Sequence, residues 1–321
     1  MRVVVIGATG HVGGYLVPRL VDAGHEVVAM SRGRQRLYRD DPAWSRVERV
    51  AVDRDAEDAA GAFAARVAAL HPDVVVDMVC FTPGSAAQLL DGLRGTGARL
   101  VMCGTIWTHG TLTAVPVLEH EDRRPWGDYG VGKAAIEDLV LAEAHRPDGV
   151  PSSMLHPGHI SGPGWPVINP AGNLDPALWR RLATGEQVVL PGLGLETLHH
   201  VHADDVAQAF QLAVERPDGA DGRAFHVVSE RALTLRGYAE QAAGWWGRTA
   251  DLAFLPFDGF AAAVGADHAA VTEDHISRSP SASIAAAREH LGYAPQHTSL
   301  DAAREAVAWL AAQEGSGIPP L

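Results

Sequence analysis

Residues 3–16 read Val-Val-Val-Ile-Gly-Ala-Thr-Gly-His-Val-Gly-Gly-Tyr-Leu, and an apolar segment of helical period follows through Val17, Leu20 and Val21. A run of β-branched residues that does not alternate with polar ones is the pattern of a strand buried on both faces, as in a parallel sheet. Three glycines, Gly7, Gly10 and Gly13, then stand between strand and helix. Gly7 permits the sharp turn, Gly10 lets backbone come close to a pyrophosphate, and Gly13 lets the helix lie against the strand. Amides opening that helix face an anion that the helix dipole favours. The stretch therefore predicts strand, tight turn and helix around a dinucleotide.

The pattern repeats along the chain. Strands are expected at 25–30, 47–52, 73–78, 99–103 and 153–155, with helices at 56–70 and 84–93 between them. Strands alternating with helices imply an α/β fold with a doubly wound parallel sheet. We expect a dinucleotide-binding Rossmann domain over 1–155, with 201–228 returning to it. A smaller C-terminal α/β substrate domain is expected from 156–200 and 229–321. The net charge of −13 argues against a nucleic-acid partner, which needs a basic face. No apolar run approaches membrane-spanning length, and the first strand begins at once, so a cytoplasmic protein is expected. Two cysteines in apolar runs imply neither a disulfide framework nor a thiolate metal site.

The tip of the second strand carries Ser31, Arg32 and, nearby, Arg34. An acidic residue there would bind a ribose 2′-hydroxyl and repel a 2′-phosphate, whereas a hydroxyl and guanidinium forks suit the phosphate. NADP is expected as cofactor, with NAD as the alternative. Asp53 follows the third strand, placed to accept from an adenine amino group or to cap the next helix, and Arg54 is read as lying along the adenine ring. Tyr129 and Lys133 share one face of a helix. An ammonium near a phenol favours the phenolate, which makes Tyr129 a candidate acid/base for interconverting an alcohol and a carbonyl. Thr105, at the end of the fifth strand, is placed to hydrogen-bond the reacting oxygen.

With Pro157-Gly158, Gly162-Pro163-Gly164, His202-Ala203-Asp204-Asp205 and the closing Leu291-Gly292-Tyr293, these motifs make the chain resemble the extended short-chain dehydrogenase/reductases, the NAD-dependent epimerase/dehydratase family. The resemblance implies that Thr105 polarises the substrate oxygen, Tyr129 moves the proton, and Lys133 also binds the nicotinamide ribose. It places Thr9, His11, Val12, Cys80, Cys103, Pro157 and His159 beside the cofactor, and suggests a homodimer packed through helices near 84–95 and 128–145. Phe81, Trp107, Trp165, Asn169, Asn173 and Arg278 are substrate-side candidates. Trp165 and the two asparagines have a competing role in pinning a proline-rich loop. The chain departs from the family where Cys103-Gly104 replace Ser-Ser and where His156-Pro157-Gly158-His159 replace Arg-Pro-Gly-Asn. His159 argues against a nucleotide-sugar substrate.

Ketone reduction or alcohol oxidation on a small molecule is the expected function. The alternatives are a nucleotide-sugar 4-epimerase or dehydratase that retains its cofactor, and a dinucleotide-binding sensor without catalysis. The run His199-His200-Val201-His202 is read as strand rather than metal site, with Asp204 or Asp205 capping the helix that follows.

Overall fold

The computed structural model describes residues 1–33 and 39–321. The first half runs β1 (Arg2–Ile6), α1 (Gly13–Asp22), β2 (Glu26–Ser31), β3 (Glu48–Ala51), α2 (Arg54–Ala59), α3 (Phe63–Ala68), β4 (Val74–Asp77), α4 (Pro83–Leu93), β5 (Arg99–Cys103), α5 (Gly127–Ala144) and β6 (Ser152–Pro157). Then come β7 (His159–Ser161), α6 (Ala177–Thr184), β8 (Val188–Pro191), β9 (Thr197–Leu198), β10 (His200–His202), α7 (Ala203–Glu215), α8 (Pro217–Ala220) and β11 (Ala224–Val227). The chain closes with β12 (Leu233–Thr234), α9 (Leu235–Gly244), β13 (Leu252–Leu255), α10 (Phe257–Val264), α11 (Ala266–Ile276) and α12 (Ser299–Ala311). Among the described residues no helix is long and apolar enough to cross a membrane.

Seven parallel strands form the main sheet in the order β3-β2-β1-β4-β5-β6-β11. The order reverses between β1 and β4, and the crevice outside the strand ends at such a switch is where a doubly wound sheet binds its ligand. Successive β1 residues serve opposite faces, which explains the unalternating apolar run. Val3 and Val5 pack with Leu16 and Leu20 of α1 and with Val206 and Phe210 of α7. Val4 and Ile6 pack instead with Phe63 of α3, Leu89 and Leu90 of α4, and Ile136 of α5. Arg19 of α1 clamps Asp204 of α7 with two hydrogen bonds of 2.8 and 2.7 Å. A separate core joins Trp179, Leu190, Tyr238, Phe260 and Val307 from the C-terminal elements.

Three local expectations change. The helix expected over 56–70 is two short helices, α2 and α3, because Gly61 turns the chain at φ +67°. Residues 266–276, given no element in the sequence reading, form α11, held through Thr272, whose hydroxyl donates to the Ala171 carbonyl. The cap of α7 is His202, whose Nδ1 accepts from the Asp204 amide at 3.0 Å. Asp204 is occupied by Arg19, and the buried Asp205 accepts from the amides of Gln296 and His297.

Candidate active site

The turn after β1 is too tight for side chains. A Cβ on Gly13 would lie 2.2 Å from the Ala8 carbonyl oxygen, and α1 starts with no side-chain cap. Its opening amides thus suit an anionic group of a ligand. A cavity of about 250 Å³ beside this turn is lined by Gly7, Thr9, Gly10, Ser31, Arg32 and Asp53, among others. The Ser31 hydroxyl accepts from the Gly33 amide at 3.3 Å. Asp53 caps α2 through the Ala56 amide while facing the same cavity. Arg34 lies outside the described residues.

Arg54 lines this cavity too, but most of its guanidinium contacts are internal. Its guanidinium turns inward, where Nη1 stands 2.7 Å from both carboxylate oxygens of the fully buried Asp77 and Nε donates to Asp58 at 3.2 Å. Its Cζ lies over the Phe63 ring, 4.9 Å from the centroid. It is an internal ion pair at the floor of the crevice.

Thr105, Tyr129 and Lys133 line one larger cavity of about 560 Å³, together with Gly7, Gly10, His11, Val12, Gly13, Cys103, Pro157 and His159. Tyr129 and Lys133 meet there because they lie four apart in the first turns of α5. Lys133 is buried, and its Nζ donates to the carbonyls of Cys80 at 2.8 Å and Cys103 at 2.9 Å. These carbonyls belong to the chain just past β4 and to the last residue of β5, so the sheet edge itself positions the ammonium. Cys80 contributes this carbonyl rather than its thiol, which is buried and pushed up to about 12 by burial. The Thr105 hydroxyl accepts from the Trp107 amide at 3.3 Å and lies near enough to the Tyr129 phenol to draw its pKa down slightly against the effect of burial. Tyr129 stands on the cavity wall, 44% exposed as a residue. Even so, burial around the phenol, reinforced by Cys103, pushes it up to about 12. Lys133, 5.9 Å from the ring centroid, does not offset that shift in the protein alone. The protein by itself presents Tyr129 as a proton donor.

The wall behind Thr105 explains one departure from the family pattern. The Thr105 amide donates to His156 Nδ1 at 3.0 Å, and a Cβ on Gly104 would lie 2.2 Å from that same nitrogen. Glycine at 104 is what admits the imidazole. The bond fixes the His156 proton on Nε2, which faces Glu137 Oε2 at 3.4 Å. Arg123 donates to the same oxygen at 2.6 Å. Burial alone would raise Glu137, but His156 and Arg123 hold it down at about 2. No motif singles out this chain of contacts; its trace in the sequence is the pair of departures at 104 and 156.

Substrate-side candidates divide in two. Phe81 and Trp165 line the cavity, with Trp165 stacked on His11 at 5.9 Å. Trp107 packs edge-on to Tyr129 at 5.7 Å. Asn169 and Asn173 do not face it. Both are buried and bond to each other at 2.7 Å, to nearby backbone and to Thr272, so they pin the loop. Arg278 is buried between the rings of Trp107 and Trp126, at 3.9 and 3.6 Å, and donates to the Trp126 carbonyl. It is neither a surface residue nor a cavity cation. Ile168 and Leu174 line the cavity and escaped the sequence reading, because the loop carrying them has no periodicity.

His202, His297 and Glu305 bring potential ligand atoms within 4.8 Å of one another. A metal-binding imidazole donates its second N–H to a partner. His202 instead accepts there, from the Asp204 amide, which leaves Nε2 protonated and 3.4 Å from Glu305. The chemistry is that of a hydrogen-bonded cap at the end of β10.

Residues 3–227 match the NAD dependent epimerase/dehydratase family. Among individual relatives, the 2′-dehydrokanamycin reductase of Streptomyces kanamyceticus is 30% identical over 237 residues, covering 74% of this chain and 64% of that protein's length. The UDP-glucose 4-epimerase of Streptomyces lividans is 25% identical over 335 residues, covering 96% of this chain and 95% of the relative. In fold, the chain is similar to the UDP-glucose 4-epimerase of Thermotoga maritima, with a TM-score of 0.73 at 19% identity over 96% of this chain and 98% of that one. The glycine turn, the parallel sheet and the extent of the match agree: the chain belongs to the NAD-dependent epimerase/dehydratase family of NAD(P)-dependent enzymes.

Proposed function

We propose that this protein is an NADPH-dependent reductase that converts a ketone of a small molecule to an alcohol. The observation that carries the reading is the convergence of Thr105, Tyr129 and Lys133 on one cavity that continues to the glycine turn. The residues fit a dinucleotide. The uncapped start of α1 and the glycine cradle receive its pyrophosphate, and Lys133, with one N–H donor unassigned among the described residues, reaches its ribose. Bound NADPH supplies a hydride to the carbonyl carbon. Thr105 steadies the charge developing on the carbonyl oxygen, and Tyr129 delivers the proton to that oxygen. Neutral before reaction, the phenol suits reduction better than oxidation. The test is transfer of deuterium from stereospecifically deuterated NADPH into an alcohol product, with stoichiometric release of NADP⁺. Isomerised substrate with no net change in cofactor would mark a 4-epimerase instead.

Ser31 and Arg32 at the tip of β2, with no carboxylate in place of Ser31, support the 2′-phosphate. Arg32→Ala is expected to raise KM for NADPH about tenfold while leaving that for NADH nearly unchanged, because one charge-assisted contact is lost. A wild-type preference for NADH in steady-state kinetics would reverse the assignment. We also read the enzyme as a cytoplasmic homodimer. On α5, which packs against α4, Val131 and Leu139 are 50% and 39% exposed and offer apolar contact to a second copy. Leu139→Arg should shift the elution of the protein in gel filtration from dimer to monomer; a wild type that already elutes as monomer would exclude the dimer.

A further inference from the structure

Beyond the reacting groups, the larger cavity has an unusual wall. Trp165, Pro166, Ile168, Leu174 and Phe81 all line it. Phe81, Trp165 and Leu174 remain 59%, 47% and 46% exposed, so large apolar surface faces the opening. Among the described residues lining the cavity, only Arg32 and Lys133 carry charge, and no carboxylate lines it. Arg32 also borders the smaller cavity at the β2 tip, and Lys133 is bound to two carbonyls. Arg278, the cation closest in sequence terms to a substrate role, is shut between two tryptophans. A diphosphate needs guanidinium, ammonium or amide partners, and a polycationic ligand needs carboxylates. This wall offers neither.

His159 is a polar group on this cavity's lining that the reaction itself does not use. His159 is only 9% exposed, and neither of its ring nitrogens makes a well-formed hydrogen bond within the protein. Burial, together with His275 and His200, keeps it neutral by holding its pKa well below the usual value, against a weak opposing pull from the His199 carbonyl. A neutral imidazole offers one donor and one acceptor, which matches a hydroxyl or a carbonyl rather than a phosphate. The Trp107 ring contacts both Tyr129 and His159, at 5.7 and 6.5 Å between centroids, so the two polar groups flank a single aromatic surface. A buried donor and acceptor left without partners is costly unless a ligand supplies them.

From this wall and this histidine we infer that the substrate is an uncharged, largely apolar cyclic or aromatic ketone bearing a second hydroxyl or carbonyl, which His159 binds, and not a nucleotide-linked sugar. The inference rests on the reductase reading and narrows it to a substrate class. His159 is then the residue that sets specificity. The second oxygen of the substrate satisfies its orphaned nitrogens, while the ring system covers Trp165, Leu174 and Phe81.

Titration calorimetry on the NADP⁺ complex tests it, with 6-hydroxy-2-tetralone, 2-tetralone, UDP and UDP-glucose as probes. The hydroxytetralone is expected to bind at least about tenfold more tightly than UDP-glucose, and about tenfold more tightly than 2-tetralone, the ratio one neutral hydrogen bond confers. His159→Leu should erase the preference for the hydroxylated ring and His159→Gln should restore most of it. Equal or tighter binding of UDP or UDP-glucose overturns the inference, as does absence of hydroxytetralone binding or a preference that survives His159→Leu. If NADP⁺ itself fails to bind in the preceding titration, the reductase reading falls instead, so the two failures are distinguishable.

Discussion

Tyr129→Phe lowers kcat for ketone reduction by about 10²–10⁴-fold, the range for losing a positioned general acid, or about 3–5 kcal/mol of barrier. The substitution removes a single oxygen. The ring keeps its edge contact with Trp107, and Lys133 keeps the carbonyls of Cys80 and Cys103, since neither depends on the hydroxyl. Binding of NADPH, followed by its fluorescence, should therefore change little while turnover collapses. The pH profile gives a second readout. A phenol raised to about 12 stays protonated through neutral pH, so the proton-bearing form needed for reduction persists there and is lost only on the alkaline side. The reduction rate should hold across neutral pH and fall as the phenol ionises, and that alkaline limb should vanish in the variant. A Phe variant within a few fold of the wild type would show that another group supplies the proton.

Asp77→Ala should cost about 3–5 kcal/mol of folding stability, because it strands a buried guanidinium. Arg54 is 9% exposed and Asp77 fully buried, and Nη2 of Arg54 already has no partner. Asp58 remains as a second carboxylate at 3.2 Å, which places the loss toward the lower end of that range. The carboxylate also accepts from the Val79 amide at 3.1 Å, at the exit of β4 into the crevice, so the backbone there loses its tether as well. The double replacement Arg54→Met with Asp77→Leu removes both charges and should recover most of the loss, since a buried pair contributes little net stability over apolar residues of similar size. Urea unfolding curves measure both. A loss below about 1 kcal/mol in the single variant would mean that water reaches the guanidinium.

What could be read from the chain and what could not separate on one physical line. The glycine turn, the strand–helix alternation and the Tyr129–Lys133 spacing are local patterns, fixed by backbone geometry within a few residues, and the sheet realises them. Arg54 shows where that fails. Its neighbour in sequence, Asp53, faces the crevice and caps α2, but the direction of the guanidinium is decided by a carboxylate 23 residues away. Asn169 and Asn173 behaved as loop residues because Thr272, from a helix not expected in the sequence, reaches across to complete their bonds. Arg278 had no readable partner because both of its tryptophans precede it by more than 150 residues. The split between α2 and α3 was within reach, since Gly61 interrupts the helical segment.

The contact between Gly104 and His156 has a consequence for how this pocket could have arisen. The two positions share one volume: the imidazole occupies space that any side chain at 104 would claim. Where the family pattern has Ser-Ser and Arg-Pro-Gly-Asn, the resemblance implies another filling of that space. A lineage passing from one filling to the other by single replacements must go through a sequence that either collides at 104 or leaves the Thr105 amide without its acceptor. The two positions are therefore physically coupled, and the support of the reacting threonine depends on both residues together.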